Sequence, residues 1–229
     1  LEGTRSTERA STEAEARETA RAFGRFLAQL QDLPGPPLHE TIVAFHDTPA
    51  RLSAFERAVA VDRVARAASC RAEIDALLDR RALASALALP AARGEIPVRH
   101  PHNDAKIANG LFDEWTGEAL CVVDLDTVMP GLSLHDFGDL ARSGVSDSDE
   151  DERELSRVAV RVPVFEALAH GFVEGAGKAL SPAERSLLVT GAEVIVYEQA
   201  VRFLGDYLDG DRYYRTTRPS HNVDRARSQ

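Results

Sequence analysis

Cysteine, methionine, tryptophan and lysine are all scarce in this 229-residue chain. The two cysteines, Cys70 and Cys121, stand alone, in no CxxC or other metal-ligand spacing. Two isolated thiols exclude a disulfide framework and suit a reducing compartment. No apolar run approaches the roughly eighteen residues of a membrane helix, and no signal-peptide core is visible. The expected location is cytoplasmic, with no membrane partner. Positive charge is also short: 27 Lys and Arg face 37 Asp and Glu, a formal net charge of −10. That field repels phosphate backbones, so nucleic acid is not an expected partner. An anionic ligand would need local donors or a metal ion.

What is present is alanine, leucine and charge. Hydrophobic residues make up 44% of the chain, enough for a substantial core in one large domain or two small ones. From Ser11 to Leu30, Ala16, Ala20, Phe23, Leu27 and Leu30 recur at helical spacing, with Ser11 or Thr12 as the cap and "DLPGPP" as the stop. Residues 49–68 and 71–89 are expected to form two further helices. The period then shortens. "EIPVRH" (95–100), "GLFD" (110–113) and "ALCVVD" (119–124) read as strands, the last two pairing across "EWTGE". After Pro130 the chain returns to helix, with "SDSDEDERE" (146–154) expected as a solvated loop or helix start. "LSPAER" opens the last long helix with a capping box, Ser181 at N-cap and Glu184 at N3, running to about Leu208. The expected fold is mainly α with a small β-hairpin element, an α+β domain.

The chemistry concentrates in "HNDAKIAN" (102–109) and "VVDLDT" (122–127). A loop held between two strands positions side chains without burying them. Asp104 can take a proton from an incoming hydroxyl. Asn109 offers a neutral oxygen to a hard cation, and Asp124, at the end of the second strand, offers a carboxylate to the same ion. Lys106 is within reach of a transferred phosphate. A base, an amide oxygen and a carboxylate around an oxygen-loving ion suit phosphoryl transfer, which needs orientation and charge neutralisation more than covalent catalysis. Two decoys fail on spacing. "GFVEGAGKAL" (171–180) has Ala179 where a P-loop needs Ser or Thr, and "GLSLH" (131–135) lacks the second glycine of a nucleophile elbow.

"HNDAKIAN", "VVDLDT" and "HDFGD" together resemble the aminoglycoside phosphotransferase-like family, the small-molecule branch of the protein-kinase-like fold. Within that family, "LHETIVAFHDTPARL", "YEQAVRFLGDYLDGD" and "HNVDRARSQ" bring the chain closer to the sugar 1-kinases that act on N-acetylhexosamines. The resemblance implies Asp104 as catalytic base, Asn109 and Asp124 as magnesium (Mg2+) ligands, and Asp126 as a further metal carboxylate or a loop cap. It implies that His102 and Asp136 hold the loop and that ATP is the co-substrate. Ala105 and Ala108 depart from the family's usual Thr or Asn.

Acceptor binding is expected from two clusters. His39, Glu40, His46 and Asp47 form one. Tyr197, Glu198, Arg202, Asp206 and Tyr207 form the other, where Glu198, Arg202 and Asp206 share a helix face at i, i+4, i+8. That face reads equally as a sugar-binding array or as an intrahelical salt-bridge ladder. A two-lobed kinase also needs a glycine-rich strand turn and a strand lysine over the nucleotide. Neither is visible, and "LEGTRS" resembles the segment after the hinge between lobes. Residues 1–229 are therefore expected to be the C-terminal lobe alone, weak or inactive without its N-terminal lobe. The alternatives are a kinase for an aminoglycoside, homoserine or choline-like acceptor, and a non-catalytic sugar-binding lobe.

Overall fold

The structure is a computed structural model describing residues 2–36 and 38–229; Leu1 and Pro37, at the ends of "LEGTRS" and "DLPGPP", lie outside the described residues. Helix α1 (Glu13–Gln29) begins where Thr12 caps it, its hydroxyl accepting the Glu15 N–H at 3.1 Å. Its apolar stripe of Ala16, Ala20, Phe23 and Leu27 is buried. Against that stripe lies α6 (Val162–Ala176), so close that a Cβ on Gly171 would come within 2.1 Å of the Arg17 carbonyl. Only glycine permits that approach. Helix α5 (Ser133–Gly144) packs against the same pair, closing a core of Phe23, Leu27, Ile107, Phe137, Leu140, Leu168 and Phe172.

A second core gathers around the far half of α8 (Leu188–Asp209). There Tyr197, Val201, Leu204 and Leu208 meet Phe55 of α2 (Thr48–Val61), Ile74 of α3 (Arg71–Asp79) and Val223 of α9 (His221–Ser228). The near half of α8 contributes Leu188 and Val194 to the first core, so one helix spans both.

The β element is a three-stranded antiparallel sheet in the order β1-β2-β3. Strands β2 (Gly110–Asp113) and β3 (Ala119–Val122) form the expected hairpin, with Asp113 Oδ1 accepting the Trp115 and Thr116 amides to fold the turn. Strand β1 (Thr4–Arg5) adds to β2 and was not foreseen. Two residues carry too little alternation to read as a strand. The architecture is the mainly α, small-β class expected.

Four boundaries differ from the sequence reading. "EIPVRH" forms no strand, only a bridge between Arg99 and Gly131; Pro97 has no N–H to extend it. The helix expected over 49–68 stops at Val61, because Asp62 turns left-handed (φ 41°) and its carboxylate accepts the Arg66 and Ala67 amides. The one expected over 71–89 is α3, a 3-10 turn over Arg81–Ser85 and α4 (Ala88–Ala92). The last long helix divides at Leu187 into α7 (Pro182–Ser186), which carries the Ser181–Glu184 capping box, and α8. The P-loop look-alike is the end of α6, where Gly177 sits at φ 52°. Among the described residues, no helix is long and apolar enough to cross a membrane.

Candidate active site

Loop 102–109 is fastened from three sides before it presents any side chain. From below, Asp136 in the first turn of α5 accepts the His102 amide at 2.9 Å and the Asn103 amide at 2.7 Å. Burial pushes this carboxyl up to about 7, against the two amides that favour its charged form. From the side, the Asn103 amide group donates to the carbonyls of Thr127 (3.0 Å) and Met129 (3.1 Å). Asn103 itself is left-handed, φ 62°, a conformation asparagine tolerates better than most residues. From above, His102 Nε2–H donates to the Val123 carbonyl at 2.8 Å while Nδ1 accepts the Asp104 amide at 3.3 Å. That pairing requires the neutral imidazole. Burial between the edges of Phe23 and Phe26 favours the same form by lowering the histidine pKa.

The held loop brings three side chains together. Asp104 Oδ2 accepts the Lys106 ammonium at 2.9 Å and the Asn109 amide nitrogen at 3.1 Å. Asn109 Nδ2 also reaches the Asp104 carbonyl at 2.8 Å, which leaves its Oδ1 without a protein donor among the described residues. Asp104 and Lys106 are partly open, at 29% and 38% side-chain exposure, so substrate can reach both. Burial alone would lower the Lys106 pKa. The hydrogen bond and charge of Asp104, with the charges of Asp124 and Asp139, more than offset it and hold the ammonium above the ordinary lysine value.

The hairpin delivers Asp124. Gly110 pairs with Val122, and the Val123 N–H donates to the Asn109 carbonyl at 2.9 Å, so Asp124 follows the residue opposite Asn109. Asp124 is exposed and left-handed at φ 68°, opening a 3-10 turn over Leu125–Thr127 that contains Asp126. Among the described residues, neither carboxylate takes a hydrogen bond or ion pair. An uncommitted amide oxygen and an uncommitted carboxylate on two backbone-paired segments are donors of the kind a hard divalent cation takes. No group of three His, Cys, Asp or Glu converges among the described residues. Phosphate and water oxygens would have to complete such a coordination shell.

A model of the phosphotransferase enzyme family (APH) matches residues 1–185. The chain belongs to that family. A member of the phosphotransferase enzyme family transfers a phosphoryl group to a small substrate.

The expected acceptor residues are distributed rather than gathered. Glu40, His46 and Asp47 line a hollow of about 370 Å³ with Phe45, Asn103 and His135. Arg202 and Asp206 line a second, of about 590 Å³, with Tyr213 and Tyr214. His39 is exposed and lines neither. The rings of Tyr197 and Tyr207 belong to the second core, their hydroxyls bonded to the Leu77 carbonyl (3.2 Å) and Ser69 (3.3 Å). They are not available to stack on a sugar. The i, i+4, i+8 ladder on α8 does not form either. Glu198 binds His46 and Thr48, and Asp206 accepts the backbone amides of Arg212, Tyr213 and Tyr214. Arg202 has no carboxylate partner among the described residues and lies within 5.9 Å of the Phe45, Tyr213 and Tyr214 rings. The two tyrosines were missed because they follow the last apolar repeat, in "DGDRYYR". Asp206, left among the expected ladder, is what folds that segment back.

A third hollow, of about 600 Å³, contains Lys106, Arg142, Asp149 and Glu150. The run 146–154, expected as a solvated loop or helix start, has its acids from Asp147 to Asp151 tied to cations from elsewhere in the chain. Asp147 pairs with Arg161, Asp149 with Arg9, Glu150 with Arg142 and Arg225, and Asp151 with Arg218 and His221.

Proposed function

We propose that this chain is the catalytic and acceptor-binding lobe of an ATP- and magnesium-dependent kinase for a small, uncharged, hydroxylated acceptor, with the anomeric hydroxyl of an N-acetylhexosamine as its substrate. The observation that carries the reading is the Asp104 carboxylate, held partly open between Lys106 and Asn109. Asp104 accepts the proton of the acceptor hydroxyl as that oxygen attacks phosphorus. Lys106 loosens from Asp104 and pairs with the oxygens of the phosphoryl group in transit, a contact that strengthens as charge develops there. Asn109 Oδ1 and Asp124 would hold magnesium, with Asp126 as a further carboxylate for it. Bound there, the ion would neutralise phosphate charge and hold the leaving group in line. His102 and Asp136 keep the loop from relaxing.

An uncharged acceptor is favoured over a polycationic aminoglycoside by the fate of the nearby acids. From Asp147 to Asp151 each carboxylate already has an arginine or histidine partner, so that stretch of the rim near Lys106 offers no spare negative charge for ammonium groups. Arg202, without a carboxylate partner among the described residues and set among aromatic rings, is suited to hydroxyl and amide-carbonyl oxygens. A strand lysine and a glycine-rich phosphate loop have no counterpart in β1, β2 or β3. We assign those parts to a nucleotide-binding lobe on another stretch of polypeptide.

Assay of sugar 1-phosphate from an N-acetylhexosamine, ATP and magnesium, with calorimetry against sugars and aminoglycosides, tests the reading. Turnover is expected to rise when a nucleotide lobe is supplied. Asp104→Asn is expected to cut transfer about 10³-fold while leaving sugar affinity intact. Transfer unchanged by that substitution would remove the base, and heat from an aminoglycoside but no sugar would replace the acceptor.

A further inference from the structure

His46 and Glu198, grouped with the acceptor residues on sequence, are both fully occupied inside the protein. His46 Nδ1 is 3.0 Å from Glu198 Oε1, and its Nε2 is 2.9 Å from the Asn103 carbonyl. Glu198 Oε2 accepts the Thr48 hydroxyl at 2.6 Å. The side chains of His46 and Glu198 are 8% and 1% exposed. Both imidazole nitrogens face oxygen acceptors, a carboxylate and a carbonyl, so both carry protons and Glu198 balances the charge. The pKa directions agree. Burial pulls His46 down but Glu198, with Asp139 and the Asn103 carbonyl, raises it overall; burial lifts Glu198 but His46 and Thr48 lower it overall.

The carbonyl that His46 holds belongs to the peptide leading directly into Asp104. The amides of His102 and Asn103 are held by Asp136, so the turn is fixed by its donors from α5 and by its acceptor from His46. We propose that His46, anchored by Glu198, is a positioning residue: it clamps the Asn103 carbonyl and so sets the direction in which Asp104 presents its carboxylate. The inference rests on Asp104 as the base. It links α8, 94 positions away from Asp104 in sequence at Glu198, to the reacting group through one ring and one carbonyl. His46 and Glu198 then govern the chemical step rather than acceptor affinity.

Amide hydrogen exchange on the intact chain tests the clamp without needing turnover. In His46→Gln, exchange at Asp104, Ala105 and Lys106 is expected to rise at least tenfold, with α2 and α8 keeping their protection. Glu198→Gln, which keeps the ring but removes its counter-charge, should give a smaller rise at the same three amides. With the nucleotide lobe supplied, kcat is expected to fall about 10- to 100-fold in His46→Gln with KM within twofold. Unchanged exchange at residues 104–106, or loosening shared by α2 and α8, would overturn the clamp. So would a rise in KM with kcat preserved. Asp104→Asn separates the two ideas: if it leaves transfer intact the base assignment falls, whereas loss in Asp104→Asn with full kcat in His46→Gln removes the clamp alone.

Discussion

Two loops of this molecule are rich in carboxylates, and the fold treats them in opposite ways. On residues 147–151, every acid is matched to a cation from elsewhere in the chain, drawn from α5, α9 and the segments preceding α1, α6 and α9. Across the hairpin, Asp124 and Asp126 are exposed and their carboxylates have no protein partner among the described residues, while the Asp104 carboxylate has one ammonium and one amide. Acid density in a sequence therefore says little about charge available to a ligand. What decides it is whether the fold brings arginines to the acids, and here it brings them to one loop and withholds them from the other.

That contrast can be broken or sharpened by substitution. Asp124→Asn should raise the magnesium concentration for half-maximal transfer at least about tenfold, measured with the nucleotide lobe supplied, whereas Asp149→Asn should leave it unchanged. An equal effect at both positions would erase the distinction between the loops. Where the two regions meet, Arg142 is buried against Asp139 at 3.3 Å and Glu150 at 3.1 Å. Arg142→Met strands a buried carboxylate and should cost about 3–5 kcal/mol in urea unfolding. A smaller term comes from His135, next to His46. Burial, then repulsion from His46, lowers its imidazole to about 3 despite the attraction of Glu198. The unfolded chain binds that proton more readily, so this contribution to stability is complete above the ordinary histidine pKa and is lost as pH falls towards 3. Between pH 7 and 5 the protein should lose about 2 kcal/mol more than His135→Phe does. Smallest of all, Asp149→Asn removes an exposed pair with Arg9 and should change stability by less than about 1 kcal/mol.

The same contrast explains what was legible in the sequence. The 102–109 loop, the hairpin and the Ser181–Glu184 capping box depend on residues within a few positions of one another, so their spacing carries the geometry. The break at Asp62 and the division at Leu187 have no glycine or proline to announce them; a side-chain cap makes the first, and at the second the Leu187 amide turns to the Glu184 carbonyl. Strand β1 is two residues long and exists only because β2 is beside it. The acceptor residues were hardest. Glu198 and His46 meet across 152 positions, and Tyr197 shares its helix with Glu198 but turns into the core. On α8, helical spacing identified a common face without revealing that each residue on it answers to a different partner.

The central claim is that Asp104, Asn109 and Asp124 surround one divalent-ion and phosphate site while the acids of 147–151 do not. Titration of the intact, isotope-labelled chain with manganese(II), followed by paramagnetic broadening of backbone amides, tests it most directly. The account predicts that amides of residues 104–109 and 123–126 broaden together at low ion concentration, before those of 147–151. Broadening that begins at 147–151, or that reaches one arm of the hairpin site without the other, would contradict it.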